Sequence, residues 1–345
     1  MTRIDALAAG LSWSPYRTSI LFVTVKVLVT GGAGFIGSHL VEKLVAEGHK
    51  VTVFDDFNYY YNPAIKRHNL SAVANDIEVV EGDIRDAILV ERTFAKGNFD
   101  AVVHLAARAG VRPSIQSPKL YFTTNIDGTF NLLDASRHHG VGNFVFASSS
   151  SVYGVNKKVP FSETDALTRT ISPYAATKLA GEQICSNYAH LFDIRCMCLR
   201  FFTVYGPRQR PDLAISKFTQ RILDEQPIQQ YGDGSTARDY TYVDDIVSGI
   251  LAALGYQQSM FEIFNLGGAE TTTLSALIKE IETVCGRKAE VEVVGEQAGD
   301  VPRTFADVSK AKEILNYKPK VPVSEGLRRY LDWFQEMRAA GVVVN

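Results

Sequence analysis

The chain has 345 residues, with 36 basic and 38 acidic side chains and a formal net charge of -2, which excludes a nucleic-acid binder working by bulk charge. With 46% hydrophobic and 21% charged residues, the composition is that of a globular protein, neither disordered nor fibrous, long enough for about two domains. No apolar run approaches the roughly 18 residues needed to span a bilayer, so a cytoplasmic protein without membrane contact is expected.

Residues 1–24 show mixed polarity and little periodicity and form an extension of unknown order. From Val25 the pattern becomes regular. Val25 to Val29 reads as a buried strand, a glycine turn follows, and Ile36, Leu40, Val41, Leu44 and Val45 then recur at helical spacing until Gly48 stops the helix. Lys50 to Asp55 is a second strand that completes a βαβ unit. Further strands are expected at Ile77 to Glu81, Ala101 to Leu105, Asn143 to Ser148 and Ile194 to Phe202, separated by segments long enough for crossover helices. The alternation predicts an α/β fold, a doubly wound parallel sheet of the Rossmann type. After Thr203 the chain turns Pro- and Gly-rich, with helices near Ala214 to Glu225, Thr273 to Cys285, Ser309 to Tyr317 and Ser324 to Arg338. The expected division is a cofactor domain over 25–202, rejoined by part of 240–268, and a second, smaller α/β substrate domain over 203–345.

Four cysteines, Cys185, Cys196, Cys198 and Cys285, form no CxxC pair and have no His at ligand spacing, so buried reduced thiols and no metal are expected. In the strand around Cys196, both Cys196 and Cys198 point to one face. His104 at a strand end reads as a buried structural residue, and His138 and His139 as solvated cations closing a helix.

The turn Thr30-Gly31-Gly32-Ala33-Gly34-Phe35-Ile36-Gly37 sits between a strand and a helix. There, missing side chains let backbone approach a pyrophosphate, and the helix N-terminus offers oriented N–H donors. Asp55 ends the second strand, where a carboxylate accepts ribose hydroxyls and repels a 2′-phosphate, so NAD is expected rather than NADP. The next cations, Lys66 and Arg67, read as solvated charges.

Tyr174-Ala175-Ala176-Thr177-Lys178 places a phenol and an ammonium four residues apart on one helix face. A neighbouring cation favours the phenolate and makes Tyr174 usable as a base. Ser148 to Ser151 follow a sheet strand at its carboxyl end, where ligands of doubly wound folds bind.

The chain resembles the extended short-chain dehydrogenase/reductase family over about Val25 to Glu336. The resemblance rests on GGAGFIG, Asp55, Gly82-Asp83-Ile84, His104-Leu105-Ala106-Ala107, Asn125-Ile126-Asp127-Gly128-Thr129, SSSSVYG, YAATK, RFFTVYGP and Arg238-Asp239-Tyr240. It implies that Ser149, Tyr174 and Lys178 are catalytic. It implies NAD contacts at Gly31, Gly34, Phe35, Ile36, Gly37, Asp55, Asp83, Ile84, Ala106, Asn125, Tyr174 and Lys178, a UDP-sugar substrate and a homodimer.

Within the family, dehydratases and decarboxylases carry acids where this chain has Ser150 and Ser151, while Arg200 to Asp212 is similar to the UDP-glucuronate 4-epimerases. The implied reaction is inversion at C4 of UDP-glucuronate, giving UDP-galacturonate through a 4-keto sugar. Ser149, Ser150, Thr203, Arg210, Arg238 and Arg303 are the implied substrate contacts. Arg210 with Thr203 would clamp the carboxylate, and Arg238 and Arg303 the diphosphate. A UDP-hexose 4-epimerase, a UDP-glucuronate decarboxylase and a non-catalytic NAD sensor are the alternatives. An intact Ser149, Tyr174 and Lys178 set argues against the last.

Overall fold

The computed structural model describes residues 24–295 and 301–342, so the N-terminal extension lies outside the described residues apart from Thr24. The first half alternates as expected: β1 (Lys26–Thr30), α1 (Phe35–Ala46), β2 (Lys50–Asp55), α2 (Pro63–Asn69), β3 (Ile77–Glu81), α3 (Ala87–Gly97) and β4 (Ala101–His104). Two short helices, α4 (Val111–Gln116) and α5 (Pro118–Phe122), lead through a π-helical turn at Thr123–Asp127 into α6 (Gly128–His138). Then come β5 (Asn143–Ser149), a 3-10 turn at Ser150–Tyr153, α7 (Pro173–Phe192), β6 (Arg195–Phe201) and β7 (Thr203–Tyr205).

Local signals start these helices where they should. Asp86 accepts the amides of Ile88 and Leu89 to open α3, and Ser172 accepts the amide of Ala175 ahead of Pro173 to open α7. Both are N-caps, and proline at the first helical position costs no hydrogen bond.

The remaining elements are α8 (Ala214–Leu223), β8 (Ile228–Tyr231), β9 (Ala237–Arg238), β10 (Tyr240–Tyr242), α9 (Val243–Gly255) and β11 (Phe261–Leu266). They are followed by β12 (Thr272–Thr273), α10 (Leu274–Cys285), β13 (Val291–Val294), α11 (Ser309–Leu315) and α12 (Val323–Ala339).

Seven strands form one sheet in the order β11-β6-β5-β4-β1-β2-β3, and every pairing in it is parallel. Alternate residues feed two cores, one on each face. Val27 and Val29 pack into the first and Leu28 into the second. Cys196 and Cys198 join the second core, while their neighbours Met197 and Leu199 join the first. Cys185 shares the second core, but Cys285 is only half-buried. The order reverses between β1 and β4, which opens a crevice at the carboxyl ends of these strands, the place where doubly wound sheets bind ligands.

Beyond the sheet, short strands pair β7 with β10, β9 with β12 and β8 with β13. Among the described residues no helix is long and apolar enough to cross a membrane.

Candidate active site

The turn after β1 is built from glycines because backbone passes too close for side chains. Gly31 takes φ +70°, and a Cβ there would lie 2.7 Å from the amide nitrogen of Ala106. A Cβ on Gly37 would strike the carbonyl of Gly31, so α1 can sit against the turn only with glycine at that position. Gly34, the N-cap of α1, has no side-chain cap. The first amides of α1 are left to whatever occupies the crevice.

Asp55 closes β2 and is buried. Its Oδ2 accepts the amide of Ala33 at 3.1 Å and its Oδ1 the amide of Phe57 at 2.9 Å. Burial pushes this carboxyl above its ordinary range, opposed by Lys66. The expectation for Lys66 is overturned: it is buried, not solvated, with its amine 3.9 Å from Asp55 Oδ1. The reason is that α2 carries the lysine back to the end of β2, with its amine over the ring of Tyr61, 5.0 Å from the centroid. Arg67 does reach solvent and pairs with Glu81 at 2.9 Å.

Asp55, Tyr61 and Lys66 line a cavity of about 380 Å³ with Gly31, Gly34 to Gly37, Asp83, Ile84, Ala106, Lys178, Thr203 and Arg210. Asp83 is held by Arg85, whose guanidinium keeps the carboxyl below its usual range.

Tyr174 and Lys178 occupy the first two turns of α7. The phenol hydrogen-bonds with Ser149, and burial pushes its pKa up while Ser149 and Arg210 oppose the rise. Its ring meets Tyr121 edge-on, with centroids 6.3 Å apart. The Lys178 amine donates to the carbonyl of Ala147 at 2.7 Å, and burial pulls its pKa down to about 8. Ser149 ends β5 and accepts the amide of Ser151 at 3.2 Å, which starts the 3-10 turn that carries Ser150.

Beneath them lies a buried polar network absent from the sequence reading. Ser148 donates to Glu182, Arg200 grips both carboxylate oxygens of Glu182 at 2.9 and 2.8 Å, and Arg200 also donates to Tyr153 at 3.0 Å. Glu182 stands one turn beyond Lys178 on the same helix face. That spacing was the signal for it.

Arg210 lies beside the cavity, with Nε and Nη2 each 2.8 Å from Asp212 and its guanidinium 5.3 Å from the ring centre of Tyr60. Tyr60 donates to the same Asp212 oxygen at 3.2 Å, which ties the loop after β2 to the loop after β7. Arg108, a further cation of this cavity, stands 3.7 Å from Asp56.

A second cavity, of about 720 Å³, meets the first at Thr203, Val204 and Leu213 and carries Arg112, Lys217, Arg221 and Arg238. Five expected contacts, Ser149, Ser150, Tyr174, Asn125 and Arg303, stand apart from both linings. Arg303 donates to Thr271 at 2.8 Å and lies over Phe305. Asn125 is buried with its amide spent on the carbonyl of Arg108 and on Thr177, both at 3.0 Å.

His104 is structural as expected, between Thr30 at 2.7 Å and Thr129 at 3.0 Å, and burial pulls its pKa down to about 3. His138 is solvated, but His139 is half-buried and 2.7 Å from Glu91. Among the described residues no cluster of metal-ligating side chains occurs.

The sequence pattern of the NAD dependent epimerase/dehydratase family matches residues 27–267. The chain belongs to that family. It is 40% identical to a UDP-glucuronate 4-epimerase of Thermodesulfobacterium geofontis, over 90% of this chain and 96% of that one. Among solved structures, a UDP-glucuronic acid 4-epimerase from Bacillus cereus in complex with UDP-glucuronic acid and NAD superposes with a TM-score of 0.85 at 37% identity, covering 90% of this chain and 99% of that chain. A UDP-glucose 4-epimerase of Thermotoga maritima with UDP-glucose superposes with the same TM-score at 36% identity, covering 91% and 99%.

The residues fit the dinucleotide of this epimerase/dehydratase family. Uncapped α1 amides face the first cavity, Gly34 leaves room where only the carbonyl of Gly31, 3.2 Å away, would meet a Cβ, and Asp55 stands at the far end.

Proposed function

We propose that the protein is an NAD-dependent isomerase that inverts C4 of UDP-glucuronate to give UDP-galacturonate. The observation that carries the acid over a neutral hexose is Arg210, a cation lining the first cavity and close enough to act on Tyr174. The cofactor part of the chain is 25–202 with part of 240–268, since β11 edges the main sheet. The UDP-sugar part is mainly 203–345. Arg238, Arg112 and Arg221 supply positive charge for the diphosphate in the second cavity.

NAD, when bound along the glycine turn, supplies the acceptor and then the donor of hydride at C4. Tyr174 takes the proton from O4 while Ser149 donates to that oxygen, and Tyr174 returns the proton after the 4-keto sugar has presented its other face. Ionising a buried phenol is unfavourable by itself. The ammonium of Lys178 and the guanidinium of Arg210 are the charges that offset this cost. The ketone at C4 is β to the C6 carboxylate, so carbon dioxide is lost unless the carboxylate is held. Thr203 and Arg210 do the holding, and Asp212 occupies only the Nε and Nη2 positions of Arg210, leaving Nη1 for substrate.

The protein is proposed to act in the cytoplasm as a homodimer. Phe130 on α6 and Leu191 and Phe192 on α7 are exposed, and Tyr188 joins Phe130 to Phe192 through ring contacts of 6.5 and 5.0 Å. A second copy would cover this apolar face.

Arg210→Ala tests the acid reading. A charge-assisted hydrogen bond contributes roughly 1.5–3 kcal/mol, or about one to two orders of magnitude in affinity. UDP-glucuronate binding should fall by that factor while UDP-glucose binding is unchanged, and more of the product should be decarboxylated pentose. Equal losses for both ligands by calorimetry would return the neutral-hexose reading.

A further inference from the structure

Asp239 sits between β9 and β10, one residue past Arg238, and its carboxylate is fully buried. Neutral donors meet both oxygens. Oδ1 accepts the amide of Gly268 at 2.6 Å and the hydroxyl of Thr241 at 3.2 Å, Oδ2 accepts the amide of Ala306 at 3.0 Å, and the amide of Ala269 also bonds the carboxylate. Gly268 and Ala269 belong to the loop after β11, and Ala306 to the segment before α11. The main chain of Asp239 completes the knot. Its carbonyl accepts the amide of Thr203 at 3.0 Å, and its amide donates to Thr304 Oγ1 at 3.3 Å. A Cβ on Gly267 would lie 2.4 Å from that of Ala306 and 2.9 Å from Asp239 Oδ2, so the loop passes with no room for a side chain. Packing alone would be met by an apolar residue, and burying a charge among neutral donors is costly. Hydrogen bonds are directional where apolar contacts are not, so these bonds fix three segments against one another.

We propose that Asp239 is a positioning residue of the UDP-sugar site, and that its ionised carboxylate sets the distance between Thr203, at the sugar, and Arg238, at the diphosphate. Both side chains line the second cavity, and both flank Asp239, Thr203 through the backbone bond and Arg238 through the chain. The braces behind them are the loop after β11 and the segment 301–306, where Arg303 pairs with Ala237. A proton on the carboxylate faces three amides that can only donate, and it weakens the acceptor they share. The braces are then loosened. Burial already pushes this carboxyl up to about 6, against the pull of its amide and Thr241 bonds. Across from it, Tyr317 donates to the carbonyl of Gly267 at 3.0 Å, and burial holds that phenol well above its ordinary range. On the tied segments, Tyr240 is pushed up to about 12, Asp307 caps Ser309 at 3.0 Å, Glu270 is exposed, and Arg238 and Arg303 are the cations.

This inference rests on the UDP-sugar reading above, and the experiment separates the two. The affinity of the NAD-loaded, full-length protein for UDP-glucose is measured by calorimetry between pH 7.5 and 5. That ligand has no sugar carboxylate, and its doubly substituted diphosphate keeps its charge over this range, so the pH dependence belongs to the protein. The ionised fraction of a group titrating near pH 6 falls about tenfold from pH 7 to 5. The dissociation constant should therefore rise about tenfold, with a midpoint at about 6. NAD retained after dialysis should not change, because Asp239 lies outside the lining of the first cavity. Asp239→Asn should bind UDP-glucose about tenfold less well at pH 7.5, with no further loss at pH 5. Thr241→Val removes one donor from the ionised form and should move the midpoint up by about one pH unit. A purely structural aspartate would lower the melting temperature of Asp239→Asn and leave the parent's affinity flat with pH. If Asp239→Asn does not fold, Thr241→Val decides. A flat dissociation constant in the parent, an unmoved midpoint in Thr241→Val, or an Asp239→Asn variant that keeps the parent's pH dependence would overturn the role of Asp239. A protein that binds no UDP-sugar at any pH would instead overturn the substrate reading.

Discussion

Tyr174 must lose a proton that its surroundings favour keeping, so its replacement isolates the proton-transfer step from binding. Positioned acids and bases contribute about 10²–10⁴-fold, and Tyr174→Phe should lower turnover by at least about 100-fold while leaving the affinity for UDP-sugar nearly unchanged. Turnover within tenfold of the parent would remove Tyr174 from the role of base. His104 gives a pH prediction with a definite sign. Its folded pKa, about 3, lies below the ordinary 6.5, so between these values the unfolded chain binds a proton that the folded chain refuses. Stability is lost as pH falls through that window, at up to about 1.4 kcal/mol per pH unit for one proton. Denaturant midpoints measured from pH 7 to 4 should fall, and His104→Gln should fall less steeply. An equal slope would mean that other groups govern the acid limb. His104 was legible as structural because it ends a buried strand. Lys66 was not, since a lysine eleven positions past Asp55 gives no hint that α2 will fold it back against that carboxylate.

At the scale of elements, the contact between the glycine turn and α1 is the most exacting in the cofactor half. Gly37→Ala would place a methyl group on the carbonyl of Gly31 and push the helix from the turn. NAD should be released on dialysis while far-UV circular dichroism stays close to the parent's. A variant that keeps NAD would show that the turn yields. The network under α7 makes a second prediction. Arg200 and Glu182 are 2% and 0% exposed, and removing one partner of a buried pair costs about 3–5 kcal/mol. Glu182→Gln should lower the unfolding free energy by an amount of that order in urea titration, and a loss below about 1 kcal/mol would show that water or a neighbour takes up the guanidinium. The long elements whose bounds were read came within one or two residues, because periodicity is local. The short pairs were not. β9 and β12 hold two residues each and pair across more than thirty positions, β8 and β13 across more than sixty, and only tertiary contact selects them.

Over the whole molecule, the strand order places the crevice between β1 and β4, and the loops after β2 and β7 meet above it through Tyr60, Asp212 and Arg210. Order along the chain gave the parallel sheet, but not the contact between residues 152 positions apart that ties these loops together. The exposed face of α6 and α7 makes a prediction of its own. Phe130→Glu with Leu191→Glu should convert a dimer to a monomer in light scattering after size exclusion, and a parent that already elutes as a monomer would contradict the proposed assembly.

The central claim is reversible inversion at C4 with the chain's own residues holding the carboxylate, and proton NMR of the purified protein with UDP-glucuronate in deuterium oxide, without added nucleotide, tests it most directly. UDP-galacturonate is expected at equilibrium with UDP-glucuronate, with hydrogen and not deuterium at C4, because the hydride that leaves the sugar is the one that returns. UDP-xylose as the main product, deuterium at C4, or no turnover of UDP-glucuronate beside rapid interconversion of UDP-glucose and UDP-galactose would contradict it.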